Sequence, residues 1–219
     1  MHGFREVETA AYCPRKLYYR RLNPEPEETP TVVETRRELA FRYDELLTDD
    51  EALQTASVEV TPTQFRSRLG SAKARFHEWG HLLEPRERDV YLRGRECHGI
   101  VHKVLDTSSP SVSLVFGGQP PETGVWKPQS VRLMAAAMAL SWEHNQEVEH
   151  VFAEYPAYGV IRKVPVDARR KADYREAVGV ANSIDGPPAR VTNHSKCGNC
   201  EFRGQCGVKT RSARTLLGE

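Results

Sequence analysis

No stretch of this sequence approaches the roughly 20 consecutive apolar residues that a membrane span requires. The apolar, uncharged run Leu133 to Trp142 falls well short of that length. The opening residues, MHGFREVETA, hold no apolar segment and carry acids, which argues against a secretory leader and for a cytoplasmic protein. Charge of one sign is also lacking: 31 Lys and Arg stand against 30 Asp and Glu, a formal net charge of +1. A near-neutral chain has no global attraction for polyanions, so any nucleic-acid site must be a local patch. Repeats and low-complexity tracts are absent. What is present, 39% hydrophobic and 28% charged residues over 219 positions, suits one folded domain with a core and a small appendage.

Hydrophobic periodicity places helices over residues 4–22, broken at Pro14, and over about 33–47. A short weak strand is expected at Val58 to Val60, and a helix around Ala72 to Leu83. Three strands follow at Val90 to Leu92, Gly99 to Leu105 and Val112 to Phe116, separated by turn residues. The strongest helix covers Pro128 to His144, where Val131, Met134, Ala135, Met138, Ala139 and Trp142 form an apolar stripe. Val151 to Tyr155 and Val160 to Val166 read as a hairpin across Pro-Ala-Tyr-Gly, and a last helix spans about Ala168 to Ile184. The middle is therefore β-β-β-α-β, and the Val112 strand, its helix and the Val151 strand should form a parallel crossover. The fold class is mixed α/β with a helix-rich N-terminal region. The expected organisation is a single domain over 1–219: a helical part at 1–50, a core at 88–185 and a cysteine segment at 190–210.

Five cysteines without a leader argue against a disulfide framework. Cys197, Cys200 and Cys206 form C-x2-C-x5-C in a glycine-containing segment, a pattern typical of metal or cluster ligands. A fourth ligand is needed, and Cys13, His194 and Cys97 are the candidates. Cys13 sits at a helix start, where backbone N–H groups stabilise a thiolate, and it has a basic flank like that of the triplet. Four thiolates suit zinc or an iron–sulfur cluster, and spacing does not choose between them.

Cys13-Pro14-Arg15-Lys16-Leu17-Tyr18-Tyr19, paired with the C-terminal Cys197, Cys200 and Cys206, resembles the CRISPR-associated, RecB-like iron–sulfur exonuclease family. That resemblance, spanning about residues 4–209, implies a PD-(D/E)XK (restriction-endonuclease-like) core with a mixed central sheet. It also implies a 4Fe–4S cluster held by Cys13, Cys197, Cys200 and Cys206, with Cys97 packed in a strand. Such a cluster would join segments far apart in the chain and act as a staple for the fold rather than as a redox centre.

The family's catalytic pattern is an Asp three residues after a strand glycine, then Glu-x-Lys in the next strand and a Gln on the following helix. Here those positions fall on His102, Leu114, Phe116 and Arg132. Leu114 and Phe116 cannot supply the oxygen ligands that Mg²⁺ or Mn²⁺ demand. His102 reads more simply as a satisfied strand histidine. No catalytic residue is therefore assigned, and Mg²⁺ or Mn²⁺ would enter only if a rearranged site drew on Glu96, Asp106 and Glu122. His77-Glu78-Trp79-Gly80-His81 has H-E-x-x-H spacing, but it contains a glycine and lacks a third ligand further on.

Arg15, Lys16, Arg20 and Arg21 crowd beside Cys13, interleaved with Tyr18 and Tyr19, and Lys209 and Arg211 follow the triplet. Joined by shared ligation, these cations would form one face for phosphates and stacked bases. The reading is a degenerate nuclease-family protein that binds nucleic acid, single-stranded DNA or DNA ends, or a protein partner in a DNA-processing or CRISPR-type defence complex. An active exonuclease and a zinc-stapled protein-interaction domain are the alternatives.

Overall fold

The structure, a computed structural model, describes residues 1–24, 31–191 and 193–207. Six strands form one mixed sheet: β1 (His2–Gly3), β2 (Glu87–Arg93), β3 (Cys97–Leu105), β4 (Ser111–Val115), β5 (His150–Tyr155) and β6 (Val160–Pro165). The described helices are α1 (Phe4–Tyr12), α2 (Pro14–Leu22), α3 (Thr31–Glu38), α4 (Tyr43–Thr48), α5 (Asp50–Thr55), α6 (Pro62–Arg75), α7 (Trp79–Leu83), α8 (Lys127–His144), α9 (Ala168–Ser183), α10 (His194–Gly198) and α11 (Arg203–Cys206). None is long and apolar enough to cross a membrane.

β2, β3 and β4 form an antiparallel meander; α8 then carries the chain to β5, which pairs parallel with β4, and β6 returns antiparallel. The expected β-β-β-α-β order and the parallel pair are both present. The five residues of β4 are all buried because helices cover both faces of the sheet. One face carries α1, α8 and α9, with Val101, Val112, Leu114, Met134 and Tyr174 among its core residues. The other carries the helices between residues 39 and 83, built around Tyr43, Phe65, Leu69, Trp79 and Phe152.

Several expectations are corrected. Residues 58–60 form no strand; Glu59 N–H donates a single bond to the Ala157 carbonyl. The 33–47 helix is interrupted by a 3-10 turn at Leu39–Phe41, which turns α4 onto the sheet. The helix expected at 72–83 is two: α6 begins earlier, capped by Thr61, and ends before Phe76. The apolar stripe of α8 understates its burial, since Leu133, Ala136, Ala137 and Leu140 are also buried between the sheet and two helices. Trp142, placed in that stripe, is instead exposed. The hairpin turn is a 3-10 turn over Pro156–Tyr158 closed by Gly159 at φ +61°, where a Cβ would lie 2.8 Å from the Phe65 carbonyl oxygen.

The edge of β3 away from β2 is shared. His98 pairs with Gly3 of β1 and with Arg93 of β2, while Lys103 pairs with Arg88 of β2 and Ser113 of β4. A strand has two edges, so β1 and β4 both lie opposite β2, one at each end of β3. Between them residues 99–102 have no strand partner on that edge among the described residues. α1 covers the opening: the Phe4 ring lies on Gly99, where a Cβ would approach it to 2.6 Å, and Gly99 has φ +157°.

Beneath the other face lies a charged network with no solvent exposure. Lys103 Nζ donates to the carbonyls of Ala40 and Leu82, 2.7 Å each, and to Glu154 Oε2 at 2.9 Å. All three ammonium hydrogens thus have acceptors. Ser113 Oγ donates to the other carboxylate oxygen of Glu154, and the Phe41 and Tyr43 rings flank the ammonium. Burial pulls the Lys103 pKa down, and Glu154 opposes that pull. Breaking a buried pair strands the remaining charge, at a cost of about 3–5 kcal/mol. Lys103→Met should therefore lower the urea unfolding free energy by about that amount. Adding Glu154→Gln should cost much less than the first change; equal, additive losses would show that the two groups act independently.

Candidate functional site

Two places concentrate chemistry, a cysteine-lined cavity and the covered opening on β3. Cys13 is the hinge between α1 and α2: its N–H donates to the Thr9 carbonyl, closing α1, and its own carbonyl accepts from Lys16 and Leu17, opening α2. Pro14 occupies the first position of α2, where a missing N–H costs nothing. Cys197 lies in α10, Cys200 just after it, and Cys206 ends α11, with turn bonds linking the three. All four are half-buried free thiols and line one cavity with Arg15, Lys16, Arg190, Lys196 and Arg203. Among the described residues, no carboxylate shares that lining.

The two chain segments are clasped around this cavity. Lys196 Nζ donates to the Tyr12 carbonyl at 3.0 Å, Arg15 to the Pro188 carbonyl at 2.8 Å, and the Tyr19 hydroxyl to the Gln205 carbonyl at 3.1 Å. The Tyr19 and Phe202 rings stack, and Lys196 lies over Tyr12. Burial, followed by the nearby Cys200, Cys13 and Cys197 thiols, raises the Tyr12 pKa. Among the described residues, however, no three His, Cys, Asp or Glu side chains are gathered tightly enough to hold a metal ion. The thiols line walls rather than meet at a point.

Cys97 is elsewhere. It is buried in β3, its sulfur accepts from the Tyr174 hydroxyl at 3.4 Å, and burial pushes its thiol up to about 11. His194 opens α10, and its side chain lies outside the described set, as do Lys209 and Arg211. The basic residues of α2 divide by role. Lys16 and Arg20 both reach Glu201, at 3.4 and 3.1 Å. Arg21 is a strut instead, bonded to Glu6, His2 and the Ala181 carbonyl.

The four positions aligned with the family's catalytic pattern do come together on the α1–α8 face. Leu114 and Phe116 point into that core, Phe116 stacks on Tyr155, and the Arg132 guanidinium lies 5.7 Å from the Phe116 ring centre. His102 takes the place of the missing ladder: where β4 diverges from β3, Val115 N–H donates to His102 Nδ1 at 2.8 Å. The ring is therefore neutral with its proton on Nε2. Burial, then the charges of Arg132, Arg37, Arg5 and Lys103, push its pKa down to about 3. The simpler reading of His102 as a satisfied strand histidine describes it well.

The remaining acids do not assemble a substitute. Glu96, Asp106 and Glu122 are exposed, in the β2–β3 turn, after β3 and in the loop after β4. The H-E-x-x-H segment is not one helix either, since α7 begins at Trp79, after His77. Glu78 accepts from Lys163 and faces His150, and both His77 and His81 are exposed. Sequence reasoning missed the Lys103–Glu154 network and the Glu8–Arg132 contact at 3.4 Å. Lone charges inside the apolar runs HKVL and FAEY were the available signal for the first.

The unfolded His102 titrates near its ordinary 6.5 and the folded one at about 3, so the unfolded chain binds the extra proton between those values. The stability due to this group is complete above about pH 6.5 and is lost as the pH falls toward 3. His102→Asn keeps an acceptor for Val115 N–H without the titration. It should reduce the change in unfolding free energy between pH 7 and pH 4 by roughly 3 kcal/mol relative to wild type. An unchanged pH profile would mean that His102 titrates freely. Compared with models of known protein families and with proteins of curated function, the chain matches none.

Proposed function

We propose that this protein is a nucleic-acid-binding member of the PD-(D/E)XK nuclease class that has lost its metal-dependent chemistry and is stapled by a 4Fe–4S cluster. The observation that carries this reading is the cysteine cavity: thiols from both ends of the chain and five cations around them, without a carboxylate among the described residues. A cluster with four thiolates is anionic, and such a lining would compensate it. A single zinc ion, with bonds of about 2.3 Å, would draw its sulfurs to one point. Thiols spread over the walls of a cavity better suit a group with its own volume. Cys13, Cys197, Cys200 and Cys206 would hold it, and bound there it would supply a covalent tie rather than a reaction.

The meander, crossover helix and parallel strand support the nuclease-class reading. His102, Leu114, Phe116 and Arg132 support loss of chemistry, because the place where hard cations would sit holds apolar side chains, a neutral imidazole and a guanidinium. Arg15, Lys16 and Arg20 beside Tyr18 and Tyr19 then provide phosphate contacts and stacking surfaces, with Lys209 and Arg211 following the triplet in sequence.

Anaerobically purified protein should be brown, and Cys200→Ser should lose the colour together with much of the thermal stability. Colourless protein containing one zinc would replace the cluster with zinc. A labelled single-stranded oligonucleotide should bind and remain intact with Mn²⁺ or Mg²⁺. The variant Arg15→Gln/Arg20→Gln/Lys209→Gln/Arg211→Gln should bind at least about tenfold more weakly, with a shallower salt dependence. Shortened product that disappears in Glu96→Ala/Asp106→Ala/Glu122→Ala would establish a working nuclease. An oligonucleotide neither shifted nor cut would leave a protein partner as the better reading.

A further inference from the structure

Between α1, α2 and the first turn of α8 lies a cavity of about 320 Å³. Arg5, Lys16 and Arg20 stand in its walls, with Glu8 as the single carboxylate among its lining residues. Arg132 reaches the same carboxylate from α8 at 3.4 Å, and the two side chains are only 11% and 23% exposed. The framework fixes the direction of these groups. Thr9 Oγ1 donates to the Arg5 carbonyl and accepts from Arg20 Nη1, which lays the Arg20 side chain across α1. Burial raises the Glu8 pKa even though Arg132, Arg5 and Arg20 all act to lower it. The carboxylate is thus poorly solvated and surrounded by guanidinium groups from three helices.

We infer that this cavity binds a phosphate monoester without a metal ion, through Arg5 and Arg20 on its walls and Arg132 behind Glu8, in competition with Glu8 and, at Arg20, with Glu201. A phosphate monoester carries more charge than a carboxylate and offers three terminal oxygens, so it can use several guanidinium forks at once. Charge interactions are also stronger in a partly dehydrated cleft than on an open surface. The volume is near the lower end of the range for small-ligand sites, which suits one phosphate and its first sugar. Glu8 neutralises part of the cation cluster while the cavity is empty of ligand, and it opposes an incoming dianion. The inference rests on the nucleic-acid reading only for its source of phosphate, the terminal phosphate of a strand; the shared chemistry extends to a free phosphate compound.

The test uses the full chain as purified anaerobically and one labelled oligonucleotide with a 5′-phosphate, a 3′-phosphate or neither, with inorganic pyrophosphate as a separate competitor. One phosphorylated form should bind at least tenfold more tightly than the unphosphorylated strand, and pyrophosphate should erase that preference. Glu8→Gln should increase the preference several-fold, and Arg5→Gln should abolish it; thermal melting identifies any variant that fails to fold, in which case Arg5→Lys, which keeps charge but loses the fork, takes its place. Equal binding of all three strands, with no response to Glu8→Gln, would overturn this site while leaving nucleic-acid binding intact. Failure of every strand to bind, with pyrophosphate binding that responds to Glu8→Gln and Arg5→Gln, would keep the site, assign it a free phosphate compound and remove the nucleic-acid reading. Absence of binding by both strands and pyrophosphate would overturn both.

Discussion

The Lys103 ammonium holds the two layers of this protein in register. Its three hydrogens go to two carbonyls of the helical layer and to one carboxylate of the sheet, and the side chain has no exposure to solvent. A lysine sealed in this way cannot remain charged without all of its partners, so the layer bearing Ala40 and Leu82 cannot lift from β3 without exposing an unpaired charge. Ser113 extends the network to β4 by a hydrogen bond, and the Tyr43 ring of α4 lies against the ammonium, so a face otherwise held by apolar packing gains directional contacts at its centre.

With that face closed, the opposite face is free to carry the irregular features. β1 and β4 share one edge of β3 and leave residues 99–102 between them, an opening that must be filled because unsatisfied backbone groups in a core are costly. Phe4 fills it by packing on Gly99, and His102 fills it by accepting from Val115 N–H. The residues that occupy it satisfy the backbone and the apolar core. The Arg132 guanidinium lies close by, beside the Phe116 ring.

The cysteine cavity addresses a different constraint. α10 and α11 are short, and no sheet strand anchors them. They are held to α1 and α2 by Lys196, Arg15 and Tyr19 and by the Tyr19–Phe202 stack. These contacts place four thiols around one space, and a group bound there would convert a set of individually weak contacts into a covalent closure.

Local patterns carried much of this fold. Period-two and helical stripes marked the meander, α8, the β5–β6 hairpin and α9, since each buries a contiguous face whose spacing is written along the chain. The C-x2-C-x5-C triplet was legible because its spacing is local, whereas only the resemblance joined Cys13 to it; the structure places all four along one cavity. Tertiary structure alone decided the rest. β1 is a two-residue strand that exists only because β3 presents an edge, and Val58 to Val60 is apolar enough for a strand but meets no partner. Trp142 keeps helical spacing yet is exposed, because α8 ends beyond the elements that cover it. Lys103 and Glu154 look like ordinary charges in sequence. Their burial follows from contacts across 51 residues, and Glu8 meets Arg132 across 124. Pairings at such separations leave no periodic trace, so whether a charge is solvated, buried or gathered into a cleft is settled only when the layers close.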